Sequence, residues 1–284
     1  MRNRLIILAI ISSVAFADRV LPSKANGYVL QGPHVLELAV EKLGRAERLL
    51  VSQNLVFYET ADAQASAPSV RIPETVRYAY PGAFRSDISS SSAQRIHVCN
   101  NGKILTVTDG KDASASETWF DRYKDLLLYP SRALLLEHLT ARGVDVSTSS
   151  LGRFEGKIAY VVGDTPPHNT RSQVWFEKDT LKPIRWIMRN LPVHSDSEEL
   201  EIRYREWRQF GTVFYPMRIE FLQHSRLVRE IRVDSVEVDP AFPKELFDLK
   251  SLQSRYGFNE AEAKPVDSLE EVKKTIEEFK RRFE

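Results

Sequence analysis

The chain has 284 residues, 42% of them hydrophobic and 28% charged, and a formal net charge of +1 at neutral pH. That length suits one large β domain or two small ones, and the near-zero charge argues against a general binder of nucleic acid or of acidic membrane surfaces. The single cysteine, Cys99, excludes an intramolecular disulfide and a multi-cysteine metal site, and reads as a small core residue.

At the N-terminus, Arg2 and Arg4 precede an apolar run from Leu5 to Phe16, and Ala15-Phe16-Ala17 is a small-x-small cleavage site. Residues 1–17 therefore read as a secretory signal peptide, too short to span a bilayer comfortably. No second stretch approaches transmembrane length, so a soluble, exported mature protein is expected. Residues 18–32 read as a flexible leader. Pro33 then opens a helix expected to run to Leu50, with Val35, Leu36, Ala39, Val40, Leu43, Ala46 and Leu50 at helical spacing.

Strands are expected over Leu55–Thr60, Val76–Tyr80 and Phe84–Ile88, with a surface loop over 61–69 and a serine-rich loop over 89–92. Ile96–Asn100 and Ile104–Thr108 flank Asn101-Gly102, the dipeptide that favours a tight hairpin. Asp109–Glu117 reads as a polar loop and Thr118–Phe120 as a short strand. Pro130–Arg142 reads as a helix capped by Gly143. Lys157–Gly163, Ser172–Lys178 and Pro183–Arg189 are further strands.

The stretch from Glu199 to Pro240 carries the plainest pattern. Leu200, Ile202 and Tyr204 alternate with charged residues. Val213, Tyr215, Met217, Ile219 and Phe221 do the same, and so do Leu227, Ile231 and Val233. Three consecutive runs with period two predict an antiparallel meander with one buried face and one wet face. Pro216 interrupts the second run, and after Asp234 the apolar parity shifts to Val236 and Val238. Both mark places where a sheet bends. Arg229 breaks the buried parity of the third run. Phe242 and Phe247 plug an irregular exit, residues 250–265 read as a linker, and residues 266–284 as an amphipathic C-terminal helix with a capping box at Ser268 and Glu271. The whole predicts a mainly β (α+β) fold, a strongly curved antiparallel sheet with inserted helices.

No catalytic pattern emerges. The six histidines are scattered, His194–Glu199 reads as an exposed polar turn, and neither a G-x-S-x-G elbow nor a phosphate loop is present. What stands out is aromatic content on the strands, in a sheet too wide to fill itself.

Several stretches together resemble the LolA/LolB-like lipoprotein-carrier superfamily: Tyr80-Pro81-Gly82-Ala83-Phe84-Arg85, the hairpin Val98–Val107, the strand-turn-strand Trp175–Arg185, Phe214–Phe221, and Val236–Pro240. The family pattern has a basic residue before the proline of the first motif, where this chain has Tyr80. The resemblance implies an unclosed antiparallel β-barrel over residues 33–249, with helices as a lid, in a periplasmic protein that holds acyl chains and is neither an enzyme nor dependent on a cofactor or metal. It implies a cavity walled by Phe57, Tyr78, Tyr80, Phe84, Phe176, Trp186, Tyr204, Tyr215, Met217, Ile219 and Phe221; Arg229, from its place in the alternation, either snorkels to the cavity mouth or sits at an edge. The lid would be Leu36, Val40 and Leu43 of the first helix and Leu134, Leu136 and Leu139 of the second. The partners implied are acyl chains of lipoproteins or lipids, and a membrane-embedded release complex or receptor, with the chain a monomer. A second reading on the same fold is an RseB-like envelope-stress sensor whose tail helix docks a partner.

Overall fold

The computed structural model describes residues 29–58, 68–90, 94–110, 112–115, 117–165, 170–189 and 199–256. The expected signal peptide, most of the leader and the expected helix over 266–284 lie outside the described residues.

Among the described residues, thirteen strands form one antiparallel sheet. They are β1 (Arg48–Tyr58), β2 (Pro68–Ala79), β3 (Ala83–Ser89), β4 (Gln94–Asn100), β5 (Lys103–Thr108), β6 (Asp112–Ser114), β7 (Ser149–Phe154), β8 (Lys157–Val162), β9 (Gln173–Glu177), β10 (Pro183–Arg189), β11 (Glu199–Phe210), β12 (Val213–Gln223) and β13 (Arg226–Val238). The spatial order runs β6-β5-β4-β3-β2-β1-β13-β12-β11-β10-β9-β8-β7, so the first and last strands pair at the centre and the sheet stays open between β6 and β7. This is the unclosed barrel expected from the sequence.

The meander forms as its alternation requires. Ile202 lies opposite Phe221 and Ile219 opposite Ile231, which in turn faces Leu55 of β1. Their side chains join one core on the concave face. The outer face of the same strands carries cross-strand ion pairs, among them Arg185 with Glu201 at 2.7 Å and Arg205 with Glu220 at 2.5 Å. Both bending points take physical form. Ser52 pairs Ser235 but Gln53 pairs Val233, so Asp234 is the extra residue of a bulge. The β12–β13 ladder begins only at Arg218, so Pro216 pairs with β11 alone and its missing N–H costs no bond on the other side. Asn101 and Gly102 both have positive φ, as the tight hairpin demands.

The helices among the described residues are α1 (Gly32–Leu43), a 3₁₀ turn over Trp119–Lys124 that runs into α2 (Asp125–Leu128), α3 (Arg132–Ala141), a second 3₁₀ turn over Lys244–Phe247 and α4 (Leu249–Tyr256). Several boundaries differ from expectation. The first helix ends at Leu43 instead of Leu50, because Gly44 turns with φ 85° and presses so closely on Thr212 that a Cβ there would lie 1.8 Å from its carbonyl oxygen. Beyond it, Leu49, Val51, Leu55 and Phe57 share one face of β1, and pairing with β2 and β13 overrides a pattern that also fits a helix. Thr118–Phe120 starts a helical turn, not a strand. Asp112–Ser114, read as loop, forms the short edge strand β6, and β7, also missed, is a polar edge strand containing Gly152. The stretch expected to begin a linker at residue 250 instead continues α4, whose Leu252 packs with Phe247 against Val98, Leu105 and Val107 on the outer face of β4 and β5.

Trp186, fully buried on the concave face, is among the largest side chains of this core. Trp186→Ala is expected to lower unfolding free energy by about 3–5 kcal/mol, measured by urea denaturation.

A candidate ligand site filled by the chain itself

All the residues expected to wall a cavity do converge on the concave side of the sheet. Phe57, Tyr78, Phe84, Phe176, Trp186, Tyr204, Tyr215, Ile219 and Phe221 belong to one buried core, and Tyr80 and Met217 pack against it. Tyr80 stacks on Tyr78 with ring centroids 5.9 Å apart. Arg229, which broke the alternation of its strand, is buried here too, with its guanidinium over the rings of Phe57, Phe120 and Phe221 at 5.7, 5.5 and 5.2 Å. It does not sit at an open mouth.

What fills the space is the segment that joins β6 to β7. From Trp119 to Tyr129 it lies against the concave face, and Phe120, Tyr123, Leu126, Leu127, Leu128 and Tyr129 are all buried in the same core. Phe120 and Tyr123 both meet Phe221 edge-on, at 5.5 and 6.1 Å. Tyr204 donates its hydroxyl to the Tyr123 carbonyl at 2.9 Å. Gln53 donates to Glu74 at 2.6 Å and to the Tyr123 hydroxyl at 3.3 Å, and Ser86 donates to the other oxygen of Glu74. The Tyr78 and Tyr215 hydroxyls share a hydrogen bond of 3.1 Å. Burial pushes all four of these tyrosines above the ordinary phenol range, so they act as neutral hydrogen-bonding groups.

The sequence reading missed this plug. Its start carries a signal: Thr118 and Asp121 stand at capping-box spacing, and Asp121 Oδ2 accepts from the Thr118 amide at 3.0 Å. The expected lid is partly corrected. Leu36, Val40 and Leu139 are buried, but Leu43, Leu134 and Leu136 are only half-buried, and Leu135 takes the inward position on α3.

The plug is held by charges as well as by apolar contact. Glu117 lies within ion-pair distance of Lys124, of Arg142 at 3.5 Å, of His97 at 3.6 Å and of Arg122 at 3.8 Å. Asp125 lies 3.4 Å from both Lys124 and Arg142. Burial opposes the charge on Glu117, yet Lys124 and His97 outweigh it and hold that carboxyl below its ordinary range. Burial likewise opposes the Lys124 ammonium, and Asp125 and Glu117 hold it charged. For Asp125 burial wins: its carboxyl is pushed up to about 6, and neither of its oxygens has a hydrogen-bond partner within the protein.

Two cavities border the barrel among the described residues, and the larger, of about 410 Å³, lies among Phe154, Glu177, Tyr204, Arg205, Trp207 and Arg218. At one end of the barrel, Val40, Leu43, Leu49, Tyr80, Leu126, Leu127, Tyr129, Val213 and Tyr215 border a cavity of about 30 Å³, room for roughly two waters and for no acyl chain. It sits where β12 and β13 separate and Gly44 bridges to Val213.

No protein-family model and no curated protein matches this sequence. Solved structures do. A LolA superfamily protein from Nitrosomonas europaea superposes with a TM-score of 0.53 at 12% identity, covering 78% of this chain and 100% of its own. A DUF1329 family protein from Desulfovibrio piger gives 0.51 at 11% identity, over 78% of this chain and 98% of its own. The chain has the LolA fold. Residues 266–284, on which the sensor reading depends, lie outside the described residues. Among the described residues no helix is long and apolar enough to cross a membrane, and no three side chains are grouped to hold a metal ion.

The raised Asp125 carboxyl gives a stability prediction with a definite sign. The native state binds this proton more tightly than the unfolded chain, so its contribution is favourable at low pH and is lost as pH rises from about 4 to about 6. Asp125→Asn is therefore expected to be more stable than the parent at pH 7.5, by at most about 3 kcal/mol. The gap should narrow as pH falls toward 5, as read by melting temperature across that range.

Proposed function

We propose that this chain is a periplasmic carrier or binding protein that holds acyl chains, of lipoproteins or of free lipids, on the concave face of its barrel in place of residues 119–129. One observation carries the reading: the aromatic wall is covered by a single connecting segment that belongs to no strand and is anchored through buried ion pairs. The fold shared with a LolA superfamily protein supports it, as does the export signal read in the sequence.

The energetics of exchange favour such a device. The buried side chains of Phe120, Tyr123, Leu126, Leu127 and Leu128 contribute on the order of 10 kcal/mol of apolar burial at about 1.5–3 kcal/mol each. An acyl chain of about sixteen carbons recovers a similar amount at about 0.8 kcal/mol per methylene. The plug's own charges regain water when the segment withdraws, which offsets part of the cost of breaking its buried ion pairs. Plug and ligand are thus closely matched, and a second acyl chain tips the balance. A carrier working this way needs no catalytic group and no cofactor.

The test is binding of a fluorescent long-chain acyl probe to the purified mature protein. Tyr123→Ala, which weakens the plug, is expected to tighten binding by about tenfold, and Phe221→Ala, which removes wall, to weaken it by a similar factor, since 1.4 kcal/mol is tenfold. Absence of probe binding in the parent and in both variants contradicts the reading.

A further inference from the structure

The apolar wall does not end under the plug. Along β8, Ile158, Tyr160 and Val162 share the concave side, and their exposure falls from 44% to 9% to 0%. Across the strands the same decline repeats. Leu151 of β7 is 40% exposed, Tyr160 opposite it on β8 is 9% exposed, and Phe176 opposite Tyr160 on β9 is 1% exposed. Among the described residues, Leu151 and Ile158 are the two large apolar side chains left exposed. They are diagonal neighbours on the two outermost strands at one edge of the open sheet.

The backbone fixes which way they point. Gly152, between Leu151 and Arg153, faces the outer side, where a Cβ would lie 2.5 Å from the Trp175 ring and 3.0 Å from Val161. Trp175 closes over that glycine, so Leu151 is turned to the concave side by the alternation of the strand. Directly opposed side chains stand about 5 Å apart, and Leu151, Tyr160 and Phe176 therefore form a continuous apolar track from solvent to the wall. The cavities offer no such start. The smaller has no room for a chain, and the larger is bordered by Lys157, Glu177, Arg205 and Arg218.

Exchange of plug for ligand needs a track of this kind. Complete withdrawal of the plug before a ligand arrives would bare the wall and the plug's own side chains to water together, the costliest path for apolar surface. A chain already lying on exposed apolar side chains can advance as the plug recedes, covering each newly bared piece of wall.

Resting on the carrier reading above, we infer that Leu151 and Ile158, with Tyr160 behind them, are the port of the barrel: a long acyl chain docks on them first and then advances past Tyr160 and Phe176 beneath the plug. The port acts on the rate of exchange and not on affinity, because the seated chain has moved beyond it.

The experiment is stopped-flow binding of the fluorescent acyl probe to the full mature chain. Threonine keeps the strand propensity of both positions and removes most of their apolar surface. In the Leu151→Thr, Ile158→Thr double variant, association and dissociation rate constants are each expected to fall at least threefold, with Kd changed less than twofold and the melting temperature unchanged. Each single variant should slow exchange in part, and Leu151→Met with Ile158→Leu should keep the parent rates. Rates that stay at the parent value in the threonine variants, or a loss of affinity without slower dissociation, overturn the inference and leave the carrier reading intact. So does a dimer of the parent in sedimentation that the double variant dissociates, since a second copy then covers the patch. Absence of probe binding in the parent overturns both.

Discussion

An open, curved sheet with one apolar face cannot leave that face in water. Everything else in this fold follows from how the requirement is met. Strands β1 and β13 pair at the centre, so the two halves of the chain wrap toward each other and leave the gap between β6 and β7. The only covalent link across that gap is the segment from residue 115 to 148. Its first part fills the hollow, and α3 then packs beside α1 over the remainder. The barrel therefore stays open between β6 and β7 and is filled by a segment that is not woven into the sheet.

That arrangement separates stability from occupancy. The ladder hydrogen bonds and the outer ion pairs of β10–β13 hold the wall regardless of what lies inside it. The plug makes no ladder contact. It is attached by apolar burial and by a knot of charges around Glu117, Lys124 and Asp125, a type of anchor that gives back part of its cost when it reaches water. Local opening free energies in proteins span a wide range, and the buried apolar contacts of this segment raise the cost of its opening, which a ligand's own apolar surface must offset. On the carrier function proposed above, a ligand that offers the wall an equivalent apolar surface would compete with the plug.

The wall was legible in the sequence because alternation with period two has one structural meaning over three successive runs. The bulge at Asp234 and the anomaly of Arg229 were visible in the same pattern. The plug was not legible, for a physical reason. A short segment surrounded by wall has no single apolar face, so Phe120, Tyr123, Leu126, Leu127, Leu128 and Tyr129 follow neither period. Its buried Glu117, Asp121, Lys124 and Asp125 resemble a solvated loop until their partners on β4 and α3 are known. The end of α1 failed differently: Arg48–Leu50 fits a helical stripe and a strand equally well, and only pairing with β2 and β13 decides. The expectation of a cavity behind the aromatic wall did not foresee that residues 119–129 pack against that wall.

The central claim is that residues 119–129 and an acyl chain occupy the same space. Hydrogen exchange of the backbone amides, with and without a saturating long-chain ligand, tests it most directly. The account predicts that amides from Phe120 to Leu128 lose protection when the ligand binds, while those around Trp186 and Ile231 keep theirs. Protection of the plug that stays the same or rises on ligand binding would contradict it.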